Sequence, residues 1–207
     1  ARLLLDKGAD VNKANKNGET PLGIAQKKGH SSIVALLEEH IYPLHAAAKT
    51  GDVEAIARLI DGGAEVDRAQ EDGTTPLFSA CFKGHIDAAK LLLEKGADVN
   101  QAKENGATPL FAACFNGHVD AARLLLDKGA AVDRANQNGA TPLYVACQNG
   151  HVAAARLLLE IGAEVDRANK NGMTPLYIAC QNGHVDAALL LLDKGADVNK
   201  ANKNGAT

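Results

Sequence analysis

Apolar positions along this chain come in short dense runs separated by fixed polar punctuation. The stretch Asn105–Gln137, "NGATPLFAACFNGHVDAARLLLDKGAAVDRANQ", shows one cycle of the pattern. The run after Thr108 predicts a short helix from Pro109 to about Phe115. Thr108 suits the N-cap, and Pro109 suits the first helical position, where a missing N–H costs nothing. Gly117 can take the left-handed conformation that ends this helix. A second helix is predicted from about Val119 to Asp127. Its residues Val119, Ala121, Ala122, Leu124, Leu125 and Leu126 leave almost no polar face, so it must be buried on several sides. Gly129 ends it, and a polar turn leads back to the next Asn-Gly pair.

The cycle repeats. "TPL" begins at Thr20, Thr75, Thr108, Thr141 and Thr174, and the last four lie 33 residues apart. Asn105–Gln137 and Asn138–Lys170 agree at 25 of 33 positions. Cys81, Cys114, Cys147 and Cys180 occupy one position of the unit, and a Gly-His pair ends each first helix. One unit cannot bury its own helices and needs a copy on either side, which is the logic of a stacked solenoid.

The 33-residue period and the pattern "GxTPLxxA…GH…LLL…GADVN" closely resemble the ankyrin repeat, over the whole chain. The resemblance implies an all-α repeat solenoid with two antiparallel helices per repeat and β-hairpin fingers between repeats. It implies a concave face made of fingers and first helices, which binds other proteins without catalysis. One departure is visible. The family's "TPLH" keeps its His only at His45. Gly23, Phe78, Phe111, Tyr144 and Tyr177 stand at the matching positions, where the rings are expected to replace the His as packing.

The period fails once, in "LLEEHIYPLHAAAKTG" at Leu36–Gly51. Asn17, Asp72, Asn105, Asn138, Asn171 and Asn204 all begin a repeat, but Asn17 to Glu39 spans only 22 residues. Residues 17–38 resemble a C-terminal cap, with Gln26, Lys27, Lys28, Ser31 and Ser32 at positions that are elsewhere small or apolar. Residues 39–71 resemble an N-terminal cap, lacking the Gly-x-Thr turn and carrying Lys49, Asp52 and Glu54. The expected organisation is therefore the end of one array, 1–38, joined to the start of another, 39–207. The second contains repeats 39–71, 72–104, 105–137, 138–170 and 171–203 and a truncated 204–207. Ala1–Gly18 repeats Ala188–Gly205 with a single change, Arg2 for Leu189. A permutant closing on itself is excluded by length. Repeat steps of about 8–10 Å separate the two caps by about 50–60 Å, whereas Glu38 and Glu39 share a peptide bond. A window cut from continuous arrays, an engineered permutant assembling head to tail, and a native chain with two arrays remain open.

Composition narrows the function. The formal net charge is −3 with both signs interspersed, unlike the basic excess of a nucleic-acid binder. No apolar run approaches the roughly 20 residues that span a bilayer, and the charges in "ARLLLDKGAD" come too early for a signal peptide. Scattered cysteines favour reduced thiols and an intracellular, cytoplasmic setting. Each Cys-x-x-x-His pair is broken by the helix-ending Gly and supplies two ligands where zinc needs about four, so no metal or cofactor is expected. No nucleophile, base and orienter occur together, and no enzyme activity is expected.

Candidate binding residues follow from the repeat position that each occupies. The exposed side of the first helix carries Phe82, Phe115, Gln148 and Gln181, followed by Lys83, Asn116, Asn149 and Asn182. Adjacent Phe82 and Phe115 are candidate anchors, with packing against their own repeats as the alternative. The Asn ladder could bond a peptide backbone. The fingers carry Glu71, Glu104, Gln137, Lys170, Lys203 and Lys16, with Met173 on a finger flank. Acid gives way to base along the stack, an order that would orient a partner of opposite charge. The expected partner is a protein or peptide, with head-to-tail self-association as the alternative.

Overall fold

Threonine and proline set where each repeat begins. The computed structural model describes residues 10–200. Two helices precede the misfit, α1 (Pro21–Lys27) and α2 (Ser31–Ile41). The regular array follows as α3 (Pro43–Thr50) with α4 (Val53–Asp61), and α5 (Pro76–Lys83) with α6 (Ile86–Glu94). It continues as α7 (Pro109–Phe115) with α8 (Val119–Asp127), α9 (Pro142–Gln148) with α10 (Val152–Glu160), and α11 (Pro175–Gln181) with α12 (Val185–Asp193). The bounds of α7 and α8 are those that the apolar runs predict. Ala1, Lys203 and the repeat beginning at Asn204 lie outside the described residues.

The Thr hydroxyl at each "TPL" accepts the N–H three residues on, as in Phe111 N to Thr108 Oγ1 at 3.2 Å. Thr108 is buried, so Thr108→Ala is expected to cost about 1 kcal/mol, read as a lower urea midpoint with an unchanged slope.

First helices α3, α5, α7, α9 and α11 stack side by side, and so do second helices α4, α6, α8, α10 and α12. Leu77, Leu110 and Leu143 are fully buried in the first layer and Leu92, Leu125, Leu158 and Leu191 in the second. Each contributes about 1.5–3 kcal/mol by burial. Alanines such as Ala121, Ala122, Ala154 and Ala155 let the layers approach closely.

The fingers correct one expectation. Among the described residues none forms a β-strand. Each finger closes on itself through two backbone bonds, as in Lys103 N to the Ala107 carbonyl and Gly106 N to the Lys103 carbonyl, both at 2.9 Å. It reaches the preceding finger through one more, Gln137 N to Asn105 O at 2.8 Å and Lys170 N to Asn138 O at 2.9 Å. Closed turns linked by one bond each stand in a row without building a ladder.

At the misfit, Tyr42 alone separates α2 from α3. Pro43 disfavours helical backbone in the residue before it, and Tyr42 sits at φ −127° and ψ 60°. The packing divides there. Val11, Leu22, Ala25, Leu37 and Ile41 form one apolar cluster, flanked by Val34 and Tyr42. The main core begins at Leu44. The row of first helices does not continue from α3 to α1. Across the junction lie the ion pair of Lys49 with Glu38 at 3.4 Å, the Arg68 guanidinium 5.4 Å from the Tyr42 ring centre, and the edge-on contact of Tyr42 with His45 at 5.3 Å between ring centres.

Candidate protein-interaction surface

The candidate residues lie on the last turn of each first helix and on the finger beside it. Phe82 lies in the last turn of α5 and Phe115 ends α7, one repeat apart, and they are 39% and 41% exposed. Both packing and presentation are at work at Phe82. Its ring lies nearly parallel to that of Phe78, 14° apart in plane and 6.3 Å between centres. Lys83 Nζ lies 5.7 Å from the Phe82 centroid and Lys103 Nζ lies 5.1 Å from that of Phe78. Cations over ring faces hold both aromatic surfaces in place, and of the two rings Phe82 is the one open to solvent.

Phe78 itself is buried, as is Tyr144, while Phe111 and Tyr177 are half-buried. These rings fill the place that His45 fills in the first repeat. His45 is buried and donates from Nε2 to the Thr74 carbonyl at 2.8 Å. Tyr144 restores a comparable tie to the turn, its hydroxyl accepting from Asn169 Nδ2 at 3.1 Å. Burial pushes the Tyr144 phenol up, partly countered by that bond.

The ladder of Asn116, Asn149 and Asn182 bonds the protein's own backbone. Asn116 Nδ2 donates to Phe82 O at 3.1 Å, Asn149 Nδ2 to Phe115 O at 3.0 Å, and Asn182 Nδ2 to Gln148 O at 2.8 Å. At the last two of these steps the histidine two residues on converges on the same carbonyl, with His151 Nε2 donating to Phe115 O at 3.1 Å and His184 Nε2 to Gln148 O at 3.0 Å. Each exposed helix end is thereby stapled to the next repeat. Sequence reading placed these Asn on the binding face and missed the staple. The recurring Asn-Gly-His triplet was the available signal.

On the fingers, Glu71, Glu104, Gln137 and Lys170 are exposed, and Met173 is half-buried against the main core. Gln137 Nε2 donates to the Glu104 carbonyl at 2.6 Å. Glu71, Glu104 and Lys170 make no ion pair among the described residues, whereas Asp72 pairs with Lys103 Nζ at 2.7 Å. Partial burial would raise the Asp72 carboxyl, but Lys103 and the Thr74 bonds outweigh it and hold it at about 2. Gln148 is half-buried, and Gln181, Lys83 and Asn182 are exposed.

The thiols and histidines face different tasks. Cys81, Cys114 and Cys147 are fully buried, and burial pushes the Cys147 thiol up to about 12. Two of the His residues four positions on, His85 and His151, donate to backbone carbonyls instead. No group of three His, Cys, Asp or Glu side chains that could hold a metal ion occurs among the described residues. No helix there is long and apolar enough to cross a membrane.

Comparison with known families fits this geometry. Models described as ankyrin repeats match at residues 39–103, 100–169 and 131–202, and a further one matches residues 1–38. No curated protein matched the chain. Matches over nearly the whole sequence, on helix pairs that stack through buried Leu and Ala, show that the chain belongs to the ankyrin-repeat family.

Proposed function

We propose that this array is a non-catalytic interaction module that holds a protein or peptide segment on its concave face. Ankyrin repeats are in general protein-interaction modules. The observation that carries the assignment to this face is the neighbouring, partly exposed pair Phe82 and Phe115, fixed in place by Lys83 and by the stapled helix ends. Large rigid rings offer apolar contact area at low entropic cost. The unpaired finger charges, Glu71 and Glu104 on one side and Lys170 on the other, would orient a segment whose charges run basic to acidic past the two rings. The half array before Glu39 is proposed to be the end of a separate stack, since its apolar cluster is distinct from the main core. Buried, protonated thiols suit a reducing intracellular setting.

Selection of peptides from a displayed random library against the protein tests the face. The double variant Phe82→Ala, Phe115→Ala is expected to weaken the selected peptides by at least tenfold, with little change in Tm. Equal affinity for the double variant would refute the assignment. A large fall in Tm would show that the two rings serve as core.

A further inference from the structure

Asn-Gly pairs recur at two places in the repeat, at the end of the first helix and at the finger tip, and they differ in what holds the asparagine. The chemistry open to such a pair is internal. The glycine nitrogen can attack the side-chain carbonyl carbon of the asparagine, and glycine has no side chain to hinder the approach. Structure decides which asparagine is free to turn toward that nitrogen.

At the helix ends the amide is committed. Asn116 Nδ2 donates to the carbonyls of Phe82 and Ala112 at 3.1 and 3.2 Å, and Asn149 Nδ2 donates to that of Phe115 at 3.0 Å. Turning toward Gly117 or Gly150 breaks these bonds. At the finger tips the outcome depends on the residue two places earlier. Lys103 has no acceptor atom in its side chain, so Asn105 itself accepts from Ala107 N through Oδ1 at 3.0 Å. In the following finger Asn136 takes over that task. Its Oδ1 accepts from both Asn138 N at 2.9 Å and Ala140 N at 3.0 Å. The Asn138 side chain is left exposed and makes no hydrogen bond among the described residues. The glycine nitrogens do not favour the helix ends or the fingers by being free. Gly106 N and Gly139 N each donate within their turn at 2.9 Å, and Gly117 N and Gly150 N each donate at 3.3 Å. What sets Asn138 apart is its own side chain.

We propose that Asn138–Gly139 is a site of spontaneous modification, at which the asparagine becomes aspartate or isoaspartate through a cyclic imide. Gly139 N bonds to Asn138 Cγ, the Cγ–Nδ2 bond breaks, and the amide leaves as ammonia with the proton of Gly139 N. Water then opens the imide. Breaking the new N–Cγ bond gives aspartate on an ordinary backbone. Breaking the bond from N to the main-chain carbonyl carbon gives isoaspartate, with the chain running through the former side chain.

The first product is already built into this fold. Asp72 stands at the same repeat position, accepts from Thr74 N at 2.9 Å and pairs with Lys103 Nζ at 2.7 Å. Aspartate at position 138 is therefore tolerated. Isoaspartate lengthens a tip that has no room. A Cβ on Gly139 would stand 2.8 Å from Lys170 N, which itself donates to Asn138 O at 2.9 Å. The longer chain disturbs that finger-to-finger bond. Either product sets a carboxylate beside Lys170. On the reading that finger charges orient a bound segment, the reaction offsets the basic end of that order as the molecule ages.

Peptide mapping of the folded 207-residue protein, sampled over time in mildly alkaline buffer, reads the rate at each Asn-Gly pair. Asn138 should react roughly tenfold faster than Asn105, Asn116 or Asn149, the factor that one net hydrogen bond withholds. In urea the four rates should draw together. Asn136→Lys copies the finger of Lys103 and Asn105, handing Ala140 N to Asn138 Oδ1. The rate at Asn138 should then fall roughly tenfold while those at Asn116 and Asn149 stay as they were. Equal rates in the folded protein, the same order of rates in urea, or an Asn138 rate untouched by Asn136→Lys overturns the proposal. These readings need no bound peptide, so they stand or fall apart from the concave-face assignment. Asn138→Asp carries the product, and it should weaken peptides whose acidic end lies at Lys170. Unchanged affinity there would overturn the consequence for binding and leave the rates as evidence for the site.

Discussion

Gly117→Ala is expected to cost about 3 kcal/mol of stability. Two effects add at this position. Gly117 follows α7 with φ at +71°, a conformation that costs an L-residue about 1–2 kcal/mol. An added Cβ would also meet the ring of His151 in the next repeat, 2.6 Å from Nδ1 and 2.8 Å from Cγ. The ring base cannot yield without the whole imidazole swinging out. That movement breaks the bond from His151 Nε2 to the Phe115 carbonyl, worth a further 0.5–1.5 kcal/mol or so. Gly129 supplies the control. It also has positive φ, +85°, but no atom lies within 4 Å of where its Cβ would stand. Gly129→Ala should therefore cost only the conformational part, about 1–2 kcal/mol. Urea denaturation of the two variants beside the wild type measures both. Since each repeat touches only its neighbours, the damage at Gly117 falls on the coupling between two adjacent repeats, and a broadened or split transition is expected there. Equal losses at the two positions would show that the His wedge contributes nothing.

Much of this was legible from residue spacing, for identifiable reasons. Thr108, Pro109, Gly117 and Gly129 act through local backbone rules, and the structure uses them as helix start and stop signals where the sequence places them. Burial of Leu110 and Leu125 followed from helices with no polar face. Contacts between residues about 33 apart were harder to see, because a repeat shows that a position recurs without showing which neighbour it meets. The amides of Asn116, Asn149 and Asn182 read equally well as donors to a partner or to the preceding helix end, and distance alone tells these apart. The same holds at the second-helix N-caps. Asp52 caps α4 with its own side chain, accepting from Ala55 N at 2.9 Å, while His85, His151 and His184 give up that capping role to reach the preceding repeat. The fingers failed as β-hairpins for a simpler reason, since the family pattern fixes a turn without fixing how many bonds flank it.

The protein should lose stability as pH falls from about 6.5 to 4, by up to about 3.5 kcal/mol, through His45. This side chain is 2% exposed, and its Nε2–H is committed to the Thr74 carbonyl. Burial is the largest influence and holds the imidazole down at about 4. The bond to Thr74 and the Asp72 carboxylate pull the other way, while Lys49 and Arg68 add to the depression. The folded form therefore keeps His45 neutral in a range where the unfolded chain takes up a proton. Above about 6.5 neither state binds that proton and the full stability is present. Through the window from 6.5 to about 4 it is lost progressively, and below about 4 both states are protonated and the loss has run its course. At about 1.4 kcal/mol per pH unit, the interval sets the upper limit given above. His45→Phe imitates Phe78 and Phe111 at the equivalent positions. It should cost about 1–2 kcal/mol at neutral pH by leaving the Thr74 carbonyl without its donor. Between pH 6.5 and 4 its stability should fall less steeply than that of the wild type, because the remaining histidines are common to both proteins and cancel in the difference. Urea midpoints at half-unit pH steps for the two proteins give this comparison directly. Parallel profiles would mean that His45 takes up its proton in the fold as readily as in the unfolded chain.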